Sequence, residues 1–269
     1  MHESKSQCKR HWHPAFFAGL QIELSEERSN LIFENEHLLG TKPTQIDVII
    51  VKKNGDIPIK KNIGQIFRKY NIIEYKSPSD YLSIDDFYKV YAYACFYKSL
   101  SGLENQIDIS EITITFFSKK YPHRLIKHLM NVRNYKIKKN NPGIYYIKGD
   151  FMPIQFIVTS ELEKKENLWL YSLTDELCGE KDVVQLIQEY KKHQNQYLYE
   201  SVMDIIVRAN ADRFKEGDNV CRALEEIMLK RMREELEERE RLGVNIGISQ
   251  GIIQGEQYFV LLTQSLLSL

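Results

Sequence analysis

Glu74 and Lys76 stand two residues apart in "IIEYKSPSDY", an apolar, strand-like run that carries two opposite charges toward an interior. Taking an ionised side chain out of water costs several kcal/mol unless it is paired or bound, so this spacing implies an internal ion pair or a site. Side chains alternate along a strand, which puts Ile72, Glu74 and Lys76 on one face and Ile73 and Tyr75 on the other. At ~3.3 Å per residue the two charged positions are roughly 7 Å apart along the backbone, room enough for an ion and a water between carboxylate and ammonium. In "TQIDVIIV" the same alternation sets Asp47 opposite Ile46, Val48 and Ile50. If the two strands pair, Asp47 and Glu74 approach across the ~4.8 Å strand spacing and can share one hard cation, since Mg2+ takes a few carboxylate oxygens and keeps several waters. Such a cation would stabilise charge building on a phosphodiester and lower the pKa of a bound water, with Lys76 positioning that water or offsetting phosphate charge. The alternative for the trio is a buried network of ion pairs. The tripeptide alone is weakly specific: "EYK" recurs at Glu189 to Lys191, inside an amphipathic helical pattern where it reads as a solvated surface pair.

The secondary structure that carries these residues can be read from pattern. Pro14 near the start of "HPAFFAGLQIELSEE", with Phe17, Leu20 and Leu24 at helical spacing, predicts a first helix. "NLIFENEHLL", "TQIDVIIVKK" and "YNIIEYK" are β-branched and aromatic runs broken by "GTKP" and "KNGD", which predicts three strands. Ser83 as N-cap and Asp86 in the electropositive first turn open a helix over "SIDDFYKVYAYACFYKSL". "EITITFFSKK" reads as a strand, "YPHRLIKHLMNV" as a basic helix, and "GIYYIKGDFMPIQFIVT" as two strands around Gly149. From about Ser160 onward only helical periodicity remains, and Gly243, Gly247, Gly251 and Gly255 recur four apart in the tail. The expected class is α/β, an αβββαβ core with a mixed sheet flanked by helices, followed by an all-helical part. The divisions fall at 1–160, 161–242 and 243–269.

These residues resemble the PD-(D/E)XK nuclease superfamily, and over roughly residues 10 to 255 the chain is similar to the bacterial PD-(D/E)XK family of transposases related to recombination-promoting nucleases. The resemblance implies a restriction-endonuclease-like core with Asp47, Glu74 and Lys76 as signature residues and the main-chain carbonyl of Tyr75 as a further metal ligand. It also implies a carboxylate from the first helix, for which Glu23 is the candidate and Glu26 and Glu27 compete. On the helix after the signature, where relatives carry a Gln or Lys and a Tyr, this chain has Lys89 and Tyr93, one turn apart; packing of that helix on the sheet is the alternative for Tyr93. The residue before Asp47 is Ile46 rather than proline, a departure from the family pattern. The activity implied by the resemblance is that of a Mg2+-dependent DNA endonuclease, with Mn2+ as a substitute, tied to a mobile element or to recombination. Cleavage of both strands calls for two sites, hence a homodimer. The rival expectation is a catalytically inactive nucleic-acid-binding or oligomerisation module that keeps the fold.

Composition narrows the classes. With 269 residues, 43% of them hydrophobic and 28% charged, the chain can bury a sizeable core. Cys8, Cys95, Cys178 and Cys221 are far apart and form no zinc-type spacing, which fits a reducing cytoplasm. The start of the chain lacks an apolar signal region, and no stretch approaches the ~20 apolar residues of a membrane span. G-x-x-x-G spacing without G-x-G-x-x-G argues against a nucleotide cofactor, and His11 and His13 lack a third ligand nearby. Net charge is zero, yet Lys119 to Lys148 holds nine Lys and Arg and no Asp or Glu. Interleaved with Tyr121, Tyr135, Tyr145 and Tyr146, this run suits phosphate contacts, with Lys136, Lys138 and Lys139 as the leading candidates for binding nucleic acid.

Overall fold

Trp12–Glu23 forms helix α1, and the residues buried along it, Trp12, Ala15, Phe16, Ala18, Gly19, Leu20, Ile22 and Glu23, leave almost no side of it polar. A helix that is apolar nearly all round must be covered all round. In the computed structural model, which describes residues 12–34, 38–39, 44–45, 48–55, 57–99, 104–177, 179–193 and 196–210, it is covered in that way. On one side Phe16 stacks on Tyr75 with ring centroids 4.1 Å apart and meets Phe117 edge-on at 4.8 Å. On the other, Gly19 faces Leu170 and Val202.

The sheet that α1 covers has seven strands: β1 (Leu31–Glu34), β4 (Val48–Lys53), β5 (Tyr70–Tyr75), β6 (Ile112–Ser118), β7 (Lys136–Asn141), β8 (Ile144–Lys148) and β9 (Ile154–Val158). Across the sheet they lie in the order β1-β4-β5-β6-β9-β8-β7. A separate short ladder joins β2 (Leu38–Leu39) to β3 (Thr44–Gln45). β4 pairs antiparallel with both β1 and β5, β6 runs parallel to β5 and to β9, and β8 is antiparallel to β9 and β7. The sheet is therefore mixed. The parallel step from β5 to β6 is made through α2 (Ile84–Ser99), as a crossover requires.

The second face of the sheet is closed by α2 and by α3 (His123–Val132). Phe87, Val90 and Tyr93 of α2 and Leu125 and Leu129 of α3 form one buried cluster with Ile50, Ile72, Ile114, Phe116 and Phe156 of the strands. α2 starts with a reciprocal capping box: Asp86 N–H donates to Ser83 Oγ at 3.1 Å, and Ser83 N–H donates back to Asp86 Oδ2 at 2.8 Å. The expected helices and strands through residue 158 have counterparts, but the runs at 30–39 and 44–53, each expected as one strand, give β1 with β2 and β3 with β4, and β7 was not expected. β7 lies in the lysine-rich run and forms an edge of the sheet. It turns into β8 at Gly143, where φ is +72° and a Cβ would sit 2.7 Å from the Val158 carbonyl oxygen, a position only glycine fits.

The helical part follows as α4 (Leu168–Ser172), α5 (Glu180–Lys191) and α6 (Tyr197–Ala209). Val202, Met203, Ile205, Ile206 and Val207 are buried along α6, which packs on α1 together with α4. The chain divides into units 1–213 and 214–269, and every described residue lies in the first. Asp47 and the spaced glycines from Gly243 lie outside the described residues. Among the described residues no helix is long and apolar enough to cross a membrane.

Phe16 is fully buried between sheet and helices. Phe16→Ala is expected to cost about 3–5 kcal/mol in urea unfolding, with the denaturant slope unchanged. A loss under about 1 kcal/mol would mean that α1 is not the central layer.

Candidate active site

Strand β5 has two faces, and each is committed to a different partner. Register pairs Glu74 with Val48 on β4 and with Phe116 on β6, and Phe116 belongs to the cluster under α2. Glu74 thus lies on the α2 face, at the C-terminal end of the strand. Tyr75 faces α1, its ring stacked on Phe16. Burial holds the Tyr75 hydroxyl far above its usual range, and its oxygen has no hydrogen-bond partner among the described residues. Only the main chain of Tyr75 is left for a ligand's role.

Lys76 continues the ladder past β5, its N–H donating to the Phe117 carbonyl at 2.9 Å. Its side chain returns to the Glu74 face. The ammonium lies 2.9 Å from Glu74 Oε1 and 2.8 Å from Asp86 Oδ1, so it bridges a carboxylate from the sheet and one from the first turn of α2. A turn closed by Asp80 N–H donating to the Ser77 carbonyl carries the chain from strand toward helix. Side-chain exposure rises from 9% at Glu74 to 19% at Lys76 and 23% at Asp86, so the site opens to solvent on the helix side with Glu74 at its floor.

The electrostatics follow from this gradient. Burial pushes the Glu74 carboxyl above its ordinary range, and Lys76 only partly offsets it, with a smaller contribution from Lys89. For Lys76 burial would lower the ammonium, yet the carboxylates of Glu74 and Asp86 outweigh it and hold it above its usual value. Burial would raise Asp86 as well, but hydrogen bonds from Lys76 and Ser83 prevail and hold it low. Lys76 faces Glu74 through Oε1. Carboxylate oxygen is the donor chemistry Mg2+ prefers. Among the described residues no group of three or more His, Cys, Asp and Glu is arranged to hold a metal ion.

The other expected residues separate. Lys89 is exposed on α2, close enough for its charge to act on Glu74. Tyr93, expected at a nucleic-acid surface, is 1% exposed in the core cluster, because its position on α2 points to the sheet. A base cannot stack there. Glu23 is a correction of the same kind: its carboxylate accepts from the Trp169 and Leu170 N–H groups at 2.9 and 3.4 Å and pairs with Lys61 at 2.6 Å. It caps α4, and both of its oxygens are used. Lys136, Lys138 and Lys139 lie on β7, four strand spacings or about 19 Å across the sheet from β5. Register splits them as well. Lys136 and Lys138 oppose Lys148 and Tyr146, whereas Lys139 opposes Tyr145 and pairs with Glu161 at 3.2 Å. Asp47 directly precedes Val48, the residue opposite Glu74, and lies outside the described residues.

Asp86 is the residue whose place in the site sequence reasoning missed. The capping pattern Ser-x-x-Asp was legible, but one carboxylate oxygen caps the helix while the other holds Lys76. Because the folded Asp86 carboxyl titrates below its ordinary range, the stability it contributes is complete above that range and is lost as pH falls through the folded value. Asp86→Asn is accordingly expected to lower stability by about 1 kcal/mol at neutral pH, with the difference from wild type vanishing in acid. Urea unfolding across an acid-to-neutral series measures this, and a pH-independent difference would contradict the assigned partnership.

No protein-family model, curated protein or solved structure matches this chain.

Proposed function

We propose that the chain is a Mg2+-dependent DNA endonuclease with a restriction-endonuclease-like core, of the PD-(D/E)XK kind. The observation that carries this reading is the meeting of a buried Glu74 with a more exposed Lys76 at 2.9 Å, at the end of a central strand. Chain order supports it: among α1, β1, β4, β5, α2 and β6, three antiparallel strands are followed by a helix and a parallel fourth strand. The register sets Val48 opposite Glu74, and Asp47 is the residue that precedes Val48 in the chain. The association with mobile elements or recombination rests on the resemblance across residues 10 to 255.

In this reading Glu74 and Asp47 hold the metal, joined by the Tyr75 carbonyl. Bound Mg2+ supplies charge neutralisation on the phosphodiester and a more acidic water. Lys76, gripped by two carboxylates, remains a fixed cation at the rim, able to orient a phosphate oxygen or donate a hydrogen bond to the attacking water. Asp86 limits where that ammonium can go. Lys89, one turn further along α2, adds a second cation on the side from which DNA would approach. Two such sites are needed to cut both strands, which favours a homodimer.

One observation favours the rival, an inactive module that keeps the fold. The chain Glu74–Lys76–Asp86 is already complete as an ion-pair network. The two readings separate in a supercoiled-plasmid nicking assay run with Mg2+ and with EDTA, alongside melting curves in both conditions. Asp47→Ala and Glu74→Ala are expected to lose nicking together with the stabilisation by Mg2+. Lys76→Ala is expected to lose nicking while Mg2+ stabilisation survives or grows, because a cation beside the metal has been removed. Equal, metal-independent destabilisation in all three variants would establish the ion-pair network instead.

The division of the basic run sharpens the expectation for DNA binding. Replacing Lys136 and Lys138 by Ala is expected to flatten the slope of log K against log salt by up to ~0.9 per lost phosphate contact. Lys139→Ala, at a lysine engaged with Glu161, is expected to change the slope little. Fluorescence anisotropy with a labelled duplex measures both, and identical slopes throughout would remove β7 from the DNA path.

A further inference from the structure

At the opposite end of β5 from Glu74 is a cavity of about 920 Å3, formed where β4 ends and β5, β6 and β9 begin. Lys69 is five residues before Glu74, so roughly 16 Å of strand separates the two places. Lys53, Arg68 and Lys69 line the cavity, with Glu111 as the acid among its described lining residues. Glu111 is 3.8 Å from the Lys69 ammonium with both side chains well exposed, a pair that neutralises little. The Lys53 ammonium donates to the Ile57 carbonyl at 3.1 Å, and among the described residues the Arg68 guanidinium has no partner.

The backbones that bring these cations together are fixed, while the charged ends of Lys53 and Lys69 make a hydrogen bond to the Ile57 carbonyl, an exposed pair with Glu111 and a contact over the Tyr70 ring. Arg68 N–H donates to Asn71 Oδ1 at 2.8 Å and to Thr113 Oγ1 at 3.1 Å, and Asn71 and Thr113 are both fully buried. Lys53 N–H donates to the Lys69 carbonyl at 2.8 Å. Three cations on a rigid frame repel one another until an anion arrives, so the arrangement is poised for polyanion binding rather than stabilising in itself.

An aromatic ring completes the rim. Phe151 is 80% exposed, the most exposed phenylalanine among the described residues, and it projects from the bend between β8 and β9. That bend is pinned on both sides. Asp150 takes hydrogen bonds from Tyr91, Tyr135 and Arg133 and from the Met152 N–H at 2.9 Å, while Met152 is 1% exposed. The ring thus presents a large apolar face to water beside the cations.

We propose that this cavity binds a phosphate joined to a planar base, as presented by a nucleotide or by a single strand of nucleic acid, with Lys53, Arg68 and Lys69 on phosphate and Phe151 against the base. Base stacking on an aromatic beside a cationic groove is sequence-tolerant, so the site would not select among bases. The assignment stands apart from the nuclease reading, because it uses neither Glu74 nor a metal.

The test places a reporter at the rim. In full-length protein carrying Phe151→Trp, with EDTA present, emission of the new indole is followed as AMP or a short single-stranded oligo(dA) is added. Saturable quenching is expected, and adding Arg68→Gln should weaken it about tenfold; with the oligonucleotide it should also flatten the salt slope by ~0.7 for the lost contact. AMP saturating at the same concentration as the strand assigns a mononucleotide site, and a much tighter response to the strand assigns a strand path. No change in emission with either probe, quenching indifferent to Arg68→Gln, or equal displacement by oligoglutamate would each overturn the proposal. Because EDTA removes divalent metal, a protein that fails to nick DNA can still pass this test.

Discussion

The fold depends on a helix that has nowhere polar to turn. α1 is enclosed by the sheet on one side and by α4 and α6 on the other, so neither layer is complete without it. The Phe16 ring lies flat on Tyr75, one residue from Glu74 and one from Lys76. What stiffens the end of β5 is therefore the apolar face of the strand, and the charged face inherits that stiffness through the shared backbone. A carboxylate held above its ordinary pKa by burial is an unfavourable thing for a fold to keep. The stacked rings of Phe16 and Tyr75 hold the backbone that carries it.

Glu23 shows how the third layer is attached. The last residue of α1 reaches across to the first amide groups of α4, so one helix end supplies the anion that another helix start lacks. Lys61 then balances a charge that is almost wholly buried. Together with the fully buried contacts of α6, this makes the helical region a structural necessity for the first helix rather than an appendage.

Much of the site was legible because strands obey strict alternation. Glu74 and Lys76 on one face and Tyr75 on the other followed from parity alone, and the structure has them so. The capping box at Ser83 and Asp86 was legible because its partners are three residues apart. The failures are of other kinds. Glu23 is fixed by amides some 146 residues away, a relation no local pattern carries. Tyr93 and Lys89 occupy neighbouring turns of one helix, yet a small rotation decides that the first is core and the second is exposed. β7 was hidden because its lysines and asparagines have low strand propensity, although Tyr135 and Ile137 alternate with Lys136 and Lys138 in the period of a strand.

β7 also limits how copies of this chain can meet. An edge strand offers unpaired amide and carbonyl groups to any neighbour able to extend the ladder. This edge presents Lys136 and Lys138, and its register slips between Lys139 and Asn141, so an approaching strand meets like charge and a broken hydrogen-bond rhythm. Sheet-to-sheet joining through β7 is thereby discouraged. Like charge along an exposed edge is one of the ways in which sheets resist joining into fibres.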